Sequence, residues 1–385
     1  MDLSVIILSY NVRHYTWQCV DSVLGATQKL NAEIIVVDNA SSDETLALIK
    51  DSFPHVRCIA NPENIGFSKA YNQAVKKAKG AYLCILNPDT VVGEDVFYRL
   101  LDTARSNDKL GAIGPRFIDG RGAFLPECKR VVPTPMGSLK KIIGVEGQND
   151  DYYRNSIAAN QEAPAPILAG AFLFLKTSDY LAVKGFDEHY FMYGEDIDLC
   201  YKLHKSGKEN YYLGTQTIIH YKGESTLKDR QYLERFYGAM THFYKTHFSN
   251  NRLRLMSVSI VARLLIGWRG LWPNSKRAAR MVCDTVFWVS LNRQPEDSMD
   301  QWLQDKAGHS RDQTYRTTTP QELKKQSPKN ALIVFDRKSL TYAMIIELMV
   351  SGVCFNQYYR IWQRDRNLLI GSDSSDQQGQ ALSLD

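Results

Sequence analysis

The sequence predicts an α/β protein built on a mostly parallel sheet flanked by helices. Continuous apolar runs such as Leu3 to Leu8 and Ile34 to Val37 have no wet face, as expected of strands buried on both sides. Stretches of helical length separate them, so β-α-β units repeat from the N-terminus, the connection that parallel strands require.

The elements follow in order. Leu3 to Leu8 is the first strand, and a helix runs from about Tyr15 to Gly25. Glu33 to Asp38 is a second buried strand that ends in a carboxylate. Ser42-Asp43-Glu44-Thr45 reads as a helix start with acids in its first turn. Val56 to Ile59 is a short strand, Asn64 to Lys79 a helix closed by Gly80, and Ala81 to Leu86 a further strand. Residues 116–165 are broken by prolines and read as a long loop of the kind that covers an active site. Ile167 to Lys176 is strand-like, a helix starts at Thr177, and a loop passes through Gly194. Glu195 to Ser206 is a helix, and Tyr211 to His220 completes a first domain over residues 1–250.

Beyond it the character changes. Residues 251–290 read as a basic amphipathic helical segment, in which 251–280 hold seven Arg or Lys and no acid. Leu253, Ile260, Val261, Leu264, Leu265, Trp268, Leu271 and Trp272 recur there at helical spacing. Residues 291–328 read as a polar linker. Residues 329–385 read as a small β-α-β-β unit of unknown role, marginal in size for a core of its own.

Composition narrows the class. With 44% hydrophobic and 23% charged residues the chain is neither collagen-like nor disordered. Its net charge of +5 does not by itself suggest nucleic acid as a partner. The excess is concentrated in 251–280, and the remainder is slightly acidic. Seven scattered cysteines without C-x-x-C spacing argue against a disulfide framework or a structural zinc site, and fit a reducing compartment. The N-terminal apolar run lacks the flanks of a signal peptide. Arg263 and Glu347 interrupt the longest apolar stretches, leaving no spanning helix. The expected location is cytoplasmic, peripheral on the inner face of the membrane.

In such sheets ligands sit beyond the carboxyl ends of the strands, which directs attention to Ser9-Tyr10-Asn11, Asp38-Asn39-Ala40-Ser41 and Asn87-Pro88-Asp89. Asp38 could accept a hydrogen bond from a base or a ribose, or simply make a turn. Asp89 could serve a Mg²⁺ or Mn²⁺ bound to a diphosphate, which needs only one or two protein carboxylates. Glu195 and Asp196 open a helix after an aromatic stretch. They read either as ordinary first-turn acids or as a general base beside an acceptor hydroxyl. His220 ends a strand and reads as a structural histidine or a metal ligand.

The order Val-Asp-Asn-Ala-Ser-Ser-Asp, Asn-Ile-Gly-Phe-Ser-Lys-Ala-Tyr-Asn, Leu-Asn-Pro-Asp-Thr and Gly-Glu-Asp-Ile-Asp-Leu resembles the family 2 glycosyltransferases over about residues 1–250. It is most similar to their bacterial rhamnosyltransferase-like branch. The resemblance implies a GT-A fold and transfer of one sugar from a nucleotide diphosphate donor with inversion. It implies that Ser9, Tyr10 and Asp38 hold the nucleoside, with Asn64, Gly66 and Phe67 also on the donor. Asp89 would be the last carboxylate of the family's metal-binding D-x-D motif, which departs from pattern at Asn87, and His220 would be the second metal contact. Asp196 would be the catalytic base and Glu195 would orient the acceptor, a glycan or lipid-linked molecule. Two other readings stay open. One is a sugar nucleotidyltransferase, although Ser9 to Arg13 lacks the glycine of a triphosphate loop. The other is a non-catalytic scaffold docking through its basic helix, for which an anionic membrane surface is the natural partner of 251–280.

Overall fold

Among the described residues, nine strands form the principal sheet. The structure, a computed structural model, describes residues 1–134, 152–223, 230–248, 283, 285–291, 314–352, 355–374 and 378–383. The basic stretch 251–280 lies outside the described residues, as does most of the stretch read as a linker; at the end of the segment read as helical over 251–290, Thr285–Val289 is instead a strand, as its β-branched and aromatic residues favour.

Strands β1 (Leu3–Ser9), β2 (Ala32–Asp38), β3 (Arg57–Ala60) and β4 (Tyr82–Leu86) alternate with helices α1 (Arg13–Thr27), α2 (Thr45–Ser52) and α3 (Phe67–Val75). β1 pairs in parallel with β2 and β4, and β2 with β3. The apolar runs do what their composition predicts: Val5, Ile6, Ile7, Ile35, Val36, Val37, Leu83, Cys84 and Ile85 are wholly buried. Helices cover the sheet through spaced apolar stripes. In α4 (Val96–Ser106), which follows the two-residue β5 (Thr90–Val91), the stripe is Val96, Phe97, Leu100, Leu101 and Ala104.

The chain continues through β6 (Leu110–Ile118), β7 (Lys129–Arg130), β8 (Glu162–Pro164), β9 (Ile167–Leu168) and β10 (Phe172–Lys176). Helices α5 (Thr177–Ala182) and α6 (Glu195–Lys205) precede β11 (Glu209–His220), and α7 (Arg230–His247) follows it. The sheet order is β3-β2-β1-β4-β10-β6-β11-β5, with β8 on β11. β10 runs antiparallel to both β4 and β6. Phe172 therefore sits opposite Leu86, at the edge where the parallel strands end.

Two helix starts differ from expectation. Asp43 and Glu44 lie ahead of α2 rather than in its first turn, because Asp43 accepts the amides of Arg13 and Thr45 and Glu44 is left-handed at φ 62°. The helix expected from Asn64 begins at Phe67, because Asn64 and Gly66 are engaged in the preceding loop.

A second sheet is larger than the predicted β-α-β-β unit. It contains β12 (Thr285–Val289), β13 (Thr314–Thr318), β14 (Ala331–Asp336), β15 (Tyr358–Gln363), β16 (Leu368–Gly371) and β17 (Gln380–Ser383), in the order β13-β12-β14-β15-β16-β17. β13 and helix α8 (Pro320–Gln326) occupy part of the stretch that polarity alone assigns to a linker. Thr319 caps α8 in a reciprocal capping box with Glu322.

This sheet does not stand alone. Val12, Tyr15, Val91, Ile118, Ile219 and Tyr221 of the first domain share one apolar cluster with Phe287, Val289, Leu340, Tyr342, Ile345 and Met349. Helix α9 (Tyr342–Gly352) begins against Glu94, whose two carboxylate oxygens accept the amides of Tyr342 at 2.8 Å and Ala343 at 2.9 Å. The Tyr342 hydroxyl donates to Asp21 at 2.8 Å. Gly122 is glycine because a Cβ there would overlap the Met349 carbonyl, and its φ is +77°. The shared apolar core supplies what a unit of this size lacks by itself.

Among the described residues, Cys19, Cys58, Cys84, Cys128, Cys200 and Cys283 are free thiols, and no helix is long and apolar enough to cross a membrane. Replacing Glu94 with Ala removes both acceptors from the start of α9. The expected cost is about 1–2 kcal/mol in chemical denaturation of the full chain, and an unchanged midpoint would contradict the capping role.

Candidate active site

The carboxyl edge of the first sheet gathers the residues singled out by sequence. Ser9 ends β1, Asp38 ends β2 and Asp89 follows β4. His220 ends β11, where it pairs with Thr90 of β5. The antiparallel β10 starts at this same edge, and its register is pinned by the Asn87 amide donating to the Ala171 carbonyl at 2.9 Å.

On the candidate donor side Asp38 is buried. One carboxylate oxygen accepts the Ser41 amide at 3.1 Å, and the other has no hydrogen-bond partner in the protein. The turn between them runs through Ala40 at φ 66°, a costly conformation for a residue with a Cβ. Ser9 is buried with its hydroxyl engaged by Thr16 at 2.7 Å, whereas Tyr10 is exposed. Asn39, in the strand-end segment the sequence points to, and Asn61, which sequence reasoning did not single out, build the floor. Asn61 donates to Asn39 at 3.1 Å, Asn39 donates to Asn64 at 2.8 Å, and Asn64 accepts the Gly66 amide at 3.0 Å. Gly66 has φ +84°, and a Cβ there would lie 2.7 Å from the Phe191 ring. The Phe67 amide donates to the Phe191 carbonyl at 2.7 Å, and the Phe67 ring packs on Tyr71 and Phe186. Asn64, Gly66 and Phe67 thus clasp the loop that leads into α6.

At the metal candidate, His220 Nε2 lies 3.5 Å from Asp89 Oδ1. That oxygen and His220 Nδ1 are both buried and lack hydrogen-bond partners in the protein. Buried polar atoms are rarely left this way without a missing partner. One carboxylate and one imidazole, with phosphate and water oxygens completing the shell, suit Mn²⁺ or Mg²⁺. Glu127 stands close by, its carboxyl favoured in the charged form mainly by Lys222, to which it is paired at 2.5 Å.

On the candidate base side, Tyr193 and Gly194 are both left-handed, at φ 71° and 81°, and this double turn launches α6. Strain of this kind concentrates at functional sites. Asp196 is held from three directions. Its Oδ2 accepts from Arg130 at 2.6 Å and from the Gly170 amide at 3.0 Å, and its Oδ1 accepts the Ile197 amide at 2.8 Å. Gly170 stands just ahead of β10, so Asp196 is tied to the edge that also bears Asn87 and Asp89. A Cβ on Gly170 would come within 2.9 Å of the Asp196 Cβ, so only glycine fits. Glu195 is buried, and its Oε2 has no hydrogen-bond partner in the protein.

The model of Glycosyl transferase family 2 matches residues 4–151. That match and the relatives that follow support a family 2 glycosyltransferase. The N-acetylglucosaminyl-diphospho-decaprenol L-rhamnosyltransferase of Mycobacterium tuberculosis is 28% identical over 241 residues, 59% of this chain and 78% of that protein. A low-salt glycan biosynthesis hexosyltransferase of Haloferax volcanii is 24% identical over 296 residues, 74% of this chain and 89% of that protein. A mannosyltransferase from Pyrobaculum calidifontis, solved with GDP-Man and Mn²⁺, is 15% identical with a TM-score of 0.45, over 70% of this chain and 72% of that one.

In this glycosyltransferase the residue the sequence hides is Arg130. It lies in β7, which pairs with β9 as a two-stranded ribbon, and it also donates to the Leu168 carbonyl at 3.0 Å. Burial alone would weaken its hold on its proton, and the Asp196 carboxylate more than offsets this. Nothing in the local sequence marks Arg130, because its partner lies 66 positions away.

Burial, reinforced by the neighbouring Asp196 charge, pushes the Glu195 carboxyl up to about 8 from 4.5. With Asp196 ion-paired, the proton of this pair resides on Glu195, so two adjacent acids are given different states by their surroundings. The consequence for stability has a definite sign. The folded chain keeps a proton that the unfolded chain releases above about 4.5, so stability contributed by this group falls as pH rises towards about 8. Denaturation midpoints of wild type and Glu195→Gln, compared between pH 5 and pH 8, should show a smaller pH-dependent fall in the variant. Parallel curves would contradict this assignment.

Proposed function

We propose that this glycosyltransferase moves a single sugar, rhamnose or a similar hexose, from a nucleotide diphosphate donor to a lipid-linked surface glycan. The observation that carries this reading is the meeting at one sheet edge of the Asp89–His220 pair with the Glu195–Asp196 pair. The activity named for the Mycobacterium tuberculosis relative, L-rhamnosyl transfer to an N-acetylglucosaminyl-diphospho-decaprenol, supports the choice of sugar and acceptor class.

The reaction is an inverting in-line displacement. Asp38 takes the nucleoside through its free carboxylate oxygen, with Ser9 and Tyr10 framing it, and the Asn64–Phe67 clasp sets the neighbouring wall. Asp89 and His220 would hold a divalent metal, which would supply positive charge against the departing diphosphate. Asp196 accepts the proton of the acceptor hydroxyl as that oxygen bonds to the anomeric carbon. The bond from that carbon to the diphosphate oxygen breaks, and its electron pair leaves with the nucleotide. No covalent enzyme intermediate is needed, because one base on the acceptor side suffices for inversion. Arg130 fixes the aim of the base, and protonated Glu195 donates to the acceptor and so orients it.

The basic amphipathic segment 251–280 is the part of the chain best suited to hold the enzyme near a lipid-linked acceptor. Each basic residue near an anionic surface contributes about 1 kcal/mol, so seven suffice for peripheral attachment together with an apolar helix face.

Asp196→Asn removes the base while keeping size and most hydrogen bonds. Transfer from a nucleotide-sugar should fall by about 10²–10⁴-fold, while calorimetric affinity for the donor nucleotide stays near wild type. Normal turnover by this variant would contradict the mechanism.

A further inference from the structure

Outside the edge just described, one group of side chains is built like a metal site. Asp187 and His189 lie in the loop between α5 and α6, and His242 lies on α7. One ligand atom from each falls within 4.8 Å of the other two. Asp187 Oδ1 is 2.9 Å from His189 Nδ1, and Asp187 Oδ2 is 2.9 Å from His242 Nε2. The two imidazole rings stack with centroids 5.0 Å apart, so both nitrogens turn towards the same carboxylate.

Two further features fit an ion there. The His189 amide donates to Asp187 Oδ1 at 3.0 Å, and the Tyr190 ring packs edge-on against His242 at 4.9 Å, so two ligands are oriented by neighbours. The His189 side chain is 77% exposed, which gives the site an open approach and room for water in a fourth position.

We propose that Asp187, His189 and His242 bind a borderline transition-metal ion, with Zn²⁺ the best match. Two imidazoles and one carboxylate form a three-ligand set typical of zinc with an open fourth position. Imidazole nitrogen selects zinc over magnesium, whereas the carboxylate and phosphate oxygens of the sheet edge suit the harder cations. Zinc–ligand bonds of about 2.0–2.2 Å require ligand atoms little further apart than the 2.9 Å seen here, so small movements open the cradle. On binding, the ion takes the place of the protons shared between carboxylate and imidazoles, which pass to solvent.

The position gives such an ion a consequence. The loop bearing Asp187 and His189 continues through Phe191, which Gly66 and Phe67 clasp, to the left-handed Tyr193 and Gly194 at the start of α6. Zinc would cross-link this loop to α7 and brace the segment that delivers Glu195 and Asp196. This is a positioning site, separate from Asp89 and His220.

Untagged full-length protein, stripped with chelator and held in excess Mg²⁺, is titrated with ZnCl₂ by calorimetry and thermal melting. Wild type should bind one zinc ion at this site with a rise in melting temperature. His189→Ala, which removes an exposed ring and leaves the fold untouched, should weaken that event by about tenfold or more. His242→Ala should do the same, and Asp89→Asn should retain it. Zinc binding equal to wild type in His189→Ala, loss in Asp89→Asn instead, or no zinc-dependent change in wild type would each overturn the proposal.

Discussion

The arrangement depends on one strand running the other way. β10 lies between β4 and β6 and is antiparallel to both, so the chain enters it at the edge where the parallel strands leave. That reversal puts Gly170 and Ala171 beside Asn87, and through the Gly170 amide it puts Asp196 there as well. A parallel strand in the same place would carry Gly170 to the far edge, and the acids of α6 would have no connection to Asp89. The topology thus brings the acid-bearing start of α6 to the edge that carries Asn87 and Asp89.

Electrostatics complete what topology begins. Two adjacent acids at a helix start would repel each other if both were charged and buried. Arg130 pairs with Asp196, and burial leaves the proton on Glu195. One member is ion-paired and the other is kept as a proton donor. The second sheet belongs to this machinery through packing. Ile219 and Tyr221, on either side of His220, are buried in the same apolar cluster as Tyr342 and Met349, so the strand end bearing His220 is backed by the C-terminal unit.

Much of this was legible in the sequence because its physical basis is local. Continuous apolar runs identify β1, β2 and β4, and the residue types at their ends identify Asp38, Asp89 and His220 as the positions to inspect. What escaped rests on contacts distant in sequence. Arg130 acquires meaning only through Asp196, and Asn61 only through Asn39. The start of α3 shifted because Asn64 and Gly66 are needed by the Phe191 loop, a demand no helix propensity records. β13 was hidden for a similar reason: Thr-Tyr-Arg-Thr-Thr is too polar to declare a strand, yet β12 supplies a partner along its full length.

The central claim is that the carboxyl edge of the first sheet is where the donor nucleotide and its metal bind. A crystal structure of the full chain with a nucleoside diphosphate and Mn²⁺, read by the anomalous signal of manganese, tests it most directly. The account predicts one manganese ion bound by Asp89 and His220, with the diphosphate on it and the nucleoside reaching Asp38. Manganese and nucleotide found together at any other place on the chain, with Asp89 and His220 left uncoordinated, would contradict it.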